Sequence, residues 1–92
     1  MMSNQENETL LQFPCDFPIK IIGKMDNEFI PLVKAIIHHH CPDFEEKDRW
    51  HINLSKGIKY CSITAKIIAH NKKQLDDLYR ELSQHPKVLM VL

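Results

Sequence analysis

The order in which the hydrophobic period changes along the chain is the strongest constraint on its fold. Three short stretches alternate apolar and polar residues, which is the period of a strand with one buried face, and a fourth at 88–92 is apolar throughout. Two longer stretches between them repeat every three to four residues, as a helix with one buried face does. Strands are therefore predicted at 17–24, 49–55, 58–69 and 88–92, and helices over 29–40 and 71–85.

This β-α-β-β-α-β order predicts an α+β fold of the ferredoxin-like type. Each strand-helix-strand connection is a crossover, and because crossovers are right-handed, few topologies remain. We expect a four-stranded antiparallel sheet with both helices on one face, which leaves the other face open. The chain has 92 residues, enough for one domain. Residues 1–12 are interpreted as a flexible N-terminal arm and residues 13–92 as a single domain.

Proline and cap residues agree with the ends of the helices. Pro42 and Pro86 follow the two helical stretches, and the residue before a proline is pushed out of the helical region. Asn71 opens the second helix, and Gln74 stands three positions later, as in a capping box. The second helix therefore has both a start and a stop signal.

The chain turns from the first strand into the first helix between Gly23 and Asn27. Gly23 lies at the end of the first strand, just before the turn. We expect a backbone conformation there that glycine adopts at the lowest cost. Asp26 or Asn27 is expected to cap the helix. A second turn is predicted at Lys56-Gly57, between the middle strands.

Charge, cysteine content and hydropathy exclude several classes of protein. Twelve basic residues balance twelve acidic ones, whereas proteins that bind nucleic acid through phosphates usually carry a basic excess. The first residues lack a basic start and an apolar core, so they do not read as a signal peptide. No apolar run reaches the ~20 residues that a membrane span needs. Three cysteines without CxxC spacing predict a reduced, cytoplasmic protein.

The catalytic motifs that sequence can reveal are absent. The chain has two glycines, while phosphate-binding loops and dinucleotide fingerprints need several so that the backbone can approach phosphate. It also has no GxSxG elbow and no HExxH helix. We therefore predict that the protein is not an enzyme and carries no cofactor.

The run His38-His39-His40-Cys41 ends the first helix and invites a metal-site interpretation. His38 and Cys41 share a helix face, but consecutive histidines fan around a helix, so at most two of the four could reach one ion. Structural zinc normally takes four ligands. Imidazolium groups at a helix C-terminus also complement the helix dipole, which disfavours a reactive Cys41 thiolate. We predict no metal site, and metal binding by His38 and Cys41 stays the open alternative.

Alternation along the strands places Lys20, Tyr60, Ser62, Thr64 and Lys66 on the open face. A sheet of this topology that binds RNA stacks bases on two or three aromatic side chains, and Tyr60 is the only one assigned here. A mixed polar and apolar surface suits dimerisation or a protein partner better. A face that is only solvated is equally compatible with the pattern.

The chain resembles the YbeD-like family of small uncharacterised bacterial proteins from residue 10 to residue 92. The residues that carry the resemblance are Phe13-Pro14, Phe17, Lys20, Gly23, His40, Pro42, Ser55-Lys56-Gly57, Tyr60, Ser62-Ile63, Leu78-Tyr79, Glu81-Leu82 and Met90-Val91-Leu92. His38-His39 and Cys41 depart from that pattern.

The resemblance implies a ferredoxin-like fold similar to ACT regulatory domains, which bind small effectors near the first strand-to-helix turn, often at dimer interfaces. On that similarity the candidate effector-binding residues are Gly23, Lys24, Met25, Asp26 and Asn27. The family also suggests a link with lipoate metabolism. The predicted function is a non-enzymatic regulatory module that binds a small effector and forms a homodimer through its sheet. The alternative is an adaptor that docks a protein partner on its open face.

Overall fold

The structure is a computed structural model and describes residues 12–55, 57 and 59–92. Four strands and two helices follow one another along the chain. They are β1 (Cys15–Lys24), α1 (Phe29–His40), β2 (Trp50–Leu54), β3 (Tyr60–Ala69), α2 (Lys72–Gln84) and β4 (Val88–Val91), with a short 3-10 turn (Lys47–Arg49) before β2. Of the predicted N-terminal arm, only Gln12 is described, and it is exposed.

The sheet is antiparallel with the order β2-β3-β1-β4. β1 pairs with β3 over its whole length, from Cys15 opposite Ala69 to Lys24 opposite Tyr60. β4 pairs with β1 through a register shift after Ile22. The α+β, ferredoxin-like arrangement predicted from the hydrophobic periods is confirmed.

Alternate residues of the central strands form the core with one stripe of each helix. Ile19, Ile21, Ile63 and Ile67 are fully buried. The helices contribute the buried residues Phe29, Val33, Ile36, Ile37, Leu75, Leu78 and Leu82. Because all of these strand residues point to one side, that side is the helix-covered face and the opposite side is the open face.

β2 is less buried than its alternating pattern predicts. Ile52 and Leu54 pair with the buried residues Ile63 and Cys61, so they lie on the helix-covered side of the sheet. Their exposed fractions are nevertheless 40% and 50%. β2 is the edge strand of this sheet, and an edge strand is covered by the helices less completely than the central strands.

Both helices begin with a side-chain hydrogen bond, although only one matches the predicted cap. Asn71 Oδ1 accepts a 2.8 Å bond from the Gln74 N–H, as predicted, while Gln74 Oε1 accepts from the His70 N–H at 2.6 Å. At α1 the N-cap residue is Glu28, whose side chain makes no cap bond. Asp26 lies two positions earlier, and its Oδ1 accepts a 2.6 Å bond from the Glu28 N–H.

The hairpin between β2 and β3 contains Gly57, whose φ of 78° lies in the left-handed region that favours glycine. The predicted turn partner Lys56, and Ile58, where β3 was expected to begin, lie outside the described residues. β3 begins at Tyr60 instead. In the part of the chain that the structure describes, neither helix is long and apolar enough to cross a membrane.

Candidate ligand-binding turn and open sheet face

The turn after β1 is held to its neighbours on both sides. The Met25 N–H donates a 3.0 Å bond to the Lys59 carbonyl oxygen, just before β3. On the other side, Lys87 Nζ lies 2.6 Å from Asp26 Oδ2 and 3.7 Å from Glu28 Oε1. The turn therefore has one fixed position between the start of β3 and the start of β4.

The Asp26–Lys87 pair favours the charged form of both groups. The hydrogen bond from Lys87 lowers the pKa of the Asp26 carboxyl below its ordinary value. The same bond raises the pKa of the Lys87 ammonium. Both side chains are about one-third exposed, so solvent screens this pair and its main role is to position the turn.

Gly23 is required at this turn for a different reason from the predicted one. Its backbone is not in the left-handed region, since Gly57 is the only described glycine with a positive φ. A Cβ at position 23 would instead lie 2.2 Å from Phe29 Cε1 and 2.5 Å from the Lys87 carbonyl oxygen. The Phe29 ring fills the space beside Gly23, so this residue packs the core and offers no room for a ligand.

Two shallow cavities meet at Lys24 and form a continuous surface across this end of the sheet. One has a volume of about 260 Å³ and is lined on the β4 side by Asp26, Pro86, Lys87 and Leu89. The other has a volume of about 300 Å³ and is lined on the β3 side by Met25, Lys59 and Tyr60. We call the two together the lysine groove. Asn27 is exposed and lines neither cavity.

The lysine groove combines cations with exposed apolar side chains. Lys24 and Lys59 form no ion pair with another described residue. The exposed fractions of Met25, Tyr60 and Leu89 are 36%, 45% and 51%. The sequence prediction included Lys24, Met25 and Asp26 but missed Lys59, Lys87 and Leu89, which pairing of distant strands brings to the same end.

All five residues predicted for the open face lie there. The register sets Lys20 beside Thr64, and Tyr60 beside Lys24. Ser62 and Lys66 follow on the same side of β3 by alternation. The apolar neighbours on this face include Ile22, Ile68, Met90 and Leu92. Tyr60 is the only Phe, Tyr or Trp on the open side of the described strands.

The open face is basic. Its strands carry Lys20, Lys24 and Lys66, and the only carboxylate on the open side of the described strands is Asp16. Asp16 is already bound to Arg49 at 2.9 Å. Ser62 adds an unusual feature, because its Oγ is buried and has no hydrogen-bond partner among the described residues.

The structure does not bring His38 and Cys41 together as metal ligands. The His38 ring packs edge-on against the Phe44 ring, and His38 Nε2 lies 3.8 Å from Glu46 Oε2. Cys41 is fully buried, and its Sγ accepts a 3.4 Å bond from the Gln74 amide. Burial raises the pKa of the Cys41 thiol to about 11. A raised pKa leaves less of the reactive thiolate, and its largest cause here is burial and not the helix dipole considered above.

Comparison with known proteins places this architecture in a recognised group. Residues 8–92 match the family model described as "Protein of unknown function (DUF493)". The UPF0250 protein NE1487 of Nitrosomonas europaea is 41% identical over 92% of this chain and 97% of its own length. A UPF0250 protein of Neisseria gonorrhoeae is 38% identical over 99% of this chain and all of its own length.

A solved structure shows the same fold. The solution structure of protein HP0495 from H. pylori superposes with a TM-score of 0.65, covering 89% of this chain and 85% of that one. The sequence identity is 19%, so the comparison supports the fold alone. The resemblance to the YbeD-like family, inferred above from residue patterns, is confirmed by the family and relative matches.

Proposed function

The chain belongs to the DUF493 family of proteins of unknown function, and on that premise we propose that it is a non-enzymatic regulatory module that binds a small effector. The effector site is the lysine groove. The observation that carries the proposal is the convergence of Lys24 and Lys59 with exposed apolar side chains at one end of the sheet.

The groove suits a small molecule with a carboxylate and an apolar portion. Two ammonium groups without ion-pair partners among the described residues can bind the carboxylate. Met25, Tyr60 and Leu89 offer apolar surface beside them. The Asp26–Lys87 pair borders the same groove, so a ligand ammonium group could also reach the Asp26 carboxylate. Amino acids and short fatty-acid derivatives such as lipoate have this chemistry.

The position of the groove agrees with what family resemblance implies. ACT regulatory domains, to which the fold is similar, bind effectors near the first strand-to-helix turn, and the groove lies at that turn. Lys24, Met25 and Asp26 are the predicted effector residues that line it. On this proposal the protein works in the cytoplasm and senses a metabolite, which the family links to lipoate metabolism.

Thermal unfolding against a ligand panel tests the proposal. The panel contains amino acids, lipoate, octanoate, nucleotides and phosphate. A ligand at 100 times its dissociation constant adds about 2.7 kcal/mol to the free energy of unfolding. For a domain of this size that is a rise of roughly ten degrees in Tm. We expect a carboxylate-bearing ligand to give such a shift.

Matched charge removals locate the site. Lys24→Gln and Lys59→Gln should abolish the shift, while Lys47→Gln, an exposed lysine on the 3-10 turn, should keep it. If no panel member shifts Tm, or if all three variants respond as the wild type does, the lysine groove is not an effector site.

A second function is favoured by the basic open face. The protein would be an adaptor that docks an acidic segment of a protein partner over Lys20, Lys66 and Tyr60. Charge complementarity gives specificity and association rate to such contacts, and Tyr is among the residues enriched in interfaces. A second copy of this chain is disfavoured here, because stacking two open faces would set lysines against lysines. A homodimer would therefore use another surface.

Charge reversal tests the adaptor proposal. An immobilised wild type should retain an acidic partner that Lys20→Glu, Lys66→Glu and Tyr60→Ala lose, with Lys47→Glu as the control of equal charge change. Far-ultraviolet circular dichroism must show that every variant remains folded. If the open-face variants and the control retain the acidic partner equally well, docking on this face is refuted. If the wild type retains RNA and no protein, the open face binds RNA and the adaptor proposal is wrong.

A further inference from the structure

Three potential metal ligands converge where the end of α1 meets α2. His39 and His40 are the last two residues of α1, and Glu81 lies in the third turn of α2. One ligand atom of each lies within 4.8 Å of the others. His40 Nε2 and Glu81 Oε1 are 2.6 Å apart. The cluster lies at the helix-helix contact, away from the lysine groove and the open face.

The three side chains have different surroundings. His40 is held by its bond to Glu81, and its side chain is only 15% exposed. His39 is exposed, and its ring packs edge-on against His40 with centroids 5.0 Å apart. No hydrogen bond from the His39 ring to another described residue occurs. A hydrogen-bonded imidazole and carboxylate therefore lie beside a second imidazole that is exposed to solvent.

We propose that His39, His40 and Glu81 form a binding site for a divalent transition-metal ion, with zinc as the best match. Zinc binds imidazole nitrogen at about 2.0–2.1 Å and carboxylate oxygen at about 2.0–2.2 Å. Tetrahedral ligands at those distances are roughly 3.3 Å apart. The His40–Glu81 contact opens slightly to admit the ion, and rotation of the exposed His39 side chain completes the set. Water fills the fourth position.

The ligand types and their position both favour a transition metal. Two imidazoles and one carboxylate suit zinc, nickel or copper, whereas calcium and magnesium prefer sets of oxygen ligands. The cluster also lies at the C-terminus of α1, where the helix dipole favours positive charge.

The ion would join the two helices. His39 and His40 belong to α1 and Glu81 belongs to α2, 41 positions after His40 in the sequence. Gln74 already connects the same helices, since its Nε2 donates a 3.0 Å bond to the His40 carbonyl oxygen. A metal ion at the cluster would add a second connection and raise Tm without any contribution from the lysine groove.

Sequence reasoning missed this cluster because it considered only ligands within one helix. It paired His38 with Cys41 by helical spacing. The structure instead directs His38 towards Glu46, buries Cys41 and brings Glu81 to His40. The histidine run thus supplies two ligands, and the third comes from the other helix.

Calorimetric titration with zinc chloride, in a buffer free of phosphate and chelators, tests the proposal. The wild type should bind one ion per chain in a saturable event. Removing a ligand with His39→Asn or Glu81→Gln should raise the dissociation constant for zinc at least tenfold. Mutating residues that only support the ligands of a metal site already lowers metal affinity by about 10- to 100-fold. His38→Asn is the control within the same run and should bind zinc as the wild type does.

A second readout separates metal binding from damage to the fold. The metal-free Tm of each variant shows whether the helix contact persists, and cobalt in place of zinc gives a visible absorption band that reports coordination. The zinc affinity should fall as the solution is made more acidic, because protons compete with the ion for the ligand atoms. Two results overturn the proposal: no saturation in the wild type up to about 1 mM zinc, a level that corresponds to very weak binding, or equal affinities in all folded variants.

Discussion

Gly23→Ala is the substitution whose effect the structure defines best. An ordinary carbon-carbon contact is about 3.5–4.0 Å, but the new Cβ would be 2.2 Å from Phe29 Cε1 and 2.5 Å from the Lys87 carbonyl oxygen. The Phe29 ring would have to recede by roughly 1.3 Å to reach that normal distance. Phe29 is fully buried and the Lys87 atom is backbone, so neither group can move freely.

The free energy of unfolding should fall by about 2 kcal/mol. Overpacking a core with one extra methyl group costs about 1–3 kcal/mol, and two unyielding neighbours place this site near the upper end. Replacing glycine by alanine returns about 0.4–1 kcal/mol by restricting the unfolded chain. At about 4–8 degrees per kcal/mol for a domain of this size, Tm should fall by roughly ten degrees.

Urea unfolding followed by circular dichroism measures this change, with Gly57→Ala as the matched control. A Cβ at Gly57 meets nothing within 4 Å, and the only obstacle is its φ of 78°. That conformation costs an L-residue about 1–2 kcal/mol, partly offset by the same restriction of the unfolded chain. Gly57→Ala should therefore destabilise less than Gly23→Ala.

A double-mutant cycle identifies the clashing group. Phe29→Leu removes the ring atoms that meet the new methyl group, so the cost of Gly23→Ala should shrink by at least about 0.5 kcal/mol in that background. Additive effects would show that the Phe29 ring is not the obstacle. If Gly23→Ala alone is as stable as the wild type and loses only ligand binding, the packing explanation is wrong and Gly23 serves the effector directly.

Three further predictions follow from individual contacts. Ser62→Ala should leave the free energy of unfolding unchanged or raise it, because it removes a buried hydroxyl without a described partner; a clear loss in chemical denaturation would show that Oγ is bonded. Since Asp26 has a lowered pKa and Lys87 a raised one, the stability difference between wild type and Asp26→Asn should be constant between about pH 5 and pH 9. That difference should shrink as the pH falls below the ordinary Asp26 value of 3.8 or rises beyond the ordinary Lys87 value of 10.5; a difference that does not vary with pH would contradict the ion pair. A thiol reagent should modify the half-buried Cys15 first and the fully buried Cys41, with its pKa of about 11, slowly; rapid modification of a Cys15→Ser variant would contradict the burial of the other thiols.

The sequence was sufficient for the fold because local pattern and overall topology agree here. The hydrophobic pattern along the chain assigns all six elements, and the handedness of the crossovers then leaves few topologies, of which the ferredoxin-like one is observed. Strand alternation likewise placed Tyr60, Ser62 and Lys66 on the open face. Those predictions depend on residues within one strand or helix, which sequence spacing describes directly.

The errors concern contacts between residues distant in sequence. Periodicity does not tell how far the helices extend over an edge strand, so the exposure of Ile52 and Leu54 could not be predicted. The space beside Gly23 depends on the Phe29 ring and on the backbone of Lys87. Lys87 is 64 positions after Gly23 in the sequence. No pattern within the first strand could indicate a steric requirement of that kind.

The same limit explains what was missed at the candidate sites. Lys59 and Lys87 reach the first turn only because β3 and β4 begin there. Their positions follow from the sheet order once the strands are assigned, so they could have been found by placing the first residues of β3 and β4 beside the last residue of β1. Rotamers at a helix-helix contact, such as those of His39 and Glu81, cannot be obtained in that way.

The most direct test of the proposed effector site is an amide-resolved NMR titration of the ¹⁵N-labelled protein with the carboxylate-bearing compounds of the panel. We expect one compound to cause saturable chemical-shift changes centred on the amides of Lys24, Met25, Lys59 and Leu89. The Lys59→Gln variant should bind that compound more weakly than the wild type. Saturable shifts confined to other parts of the protein, or no saturable shifts with any compound, would contradict effector binding in the lysine groove.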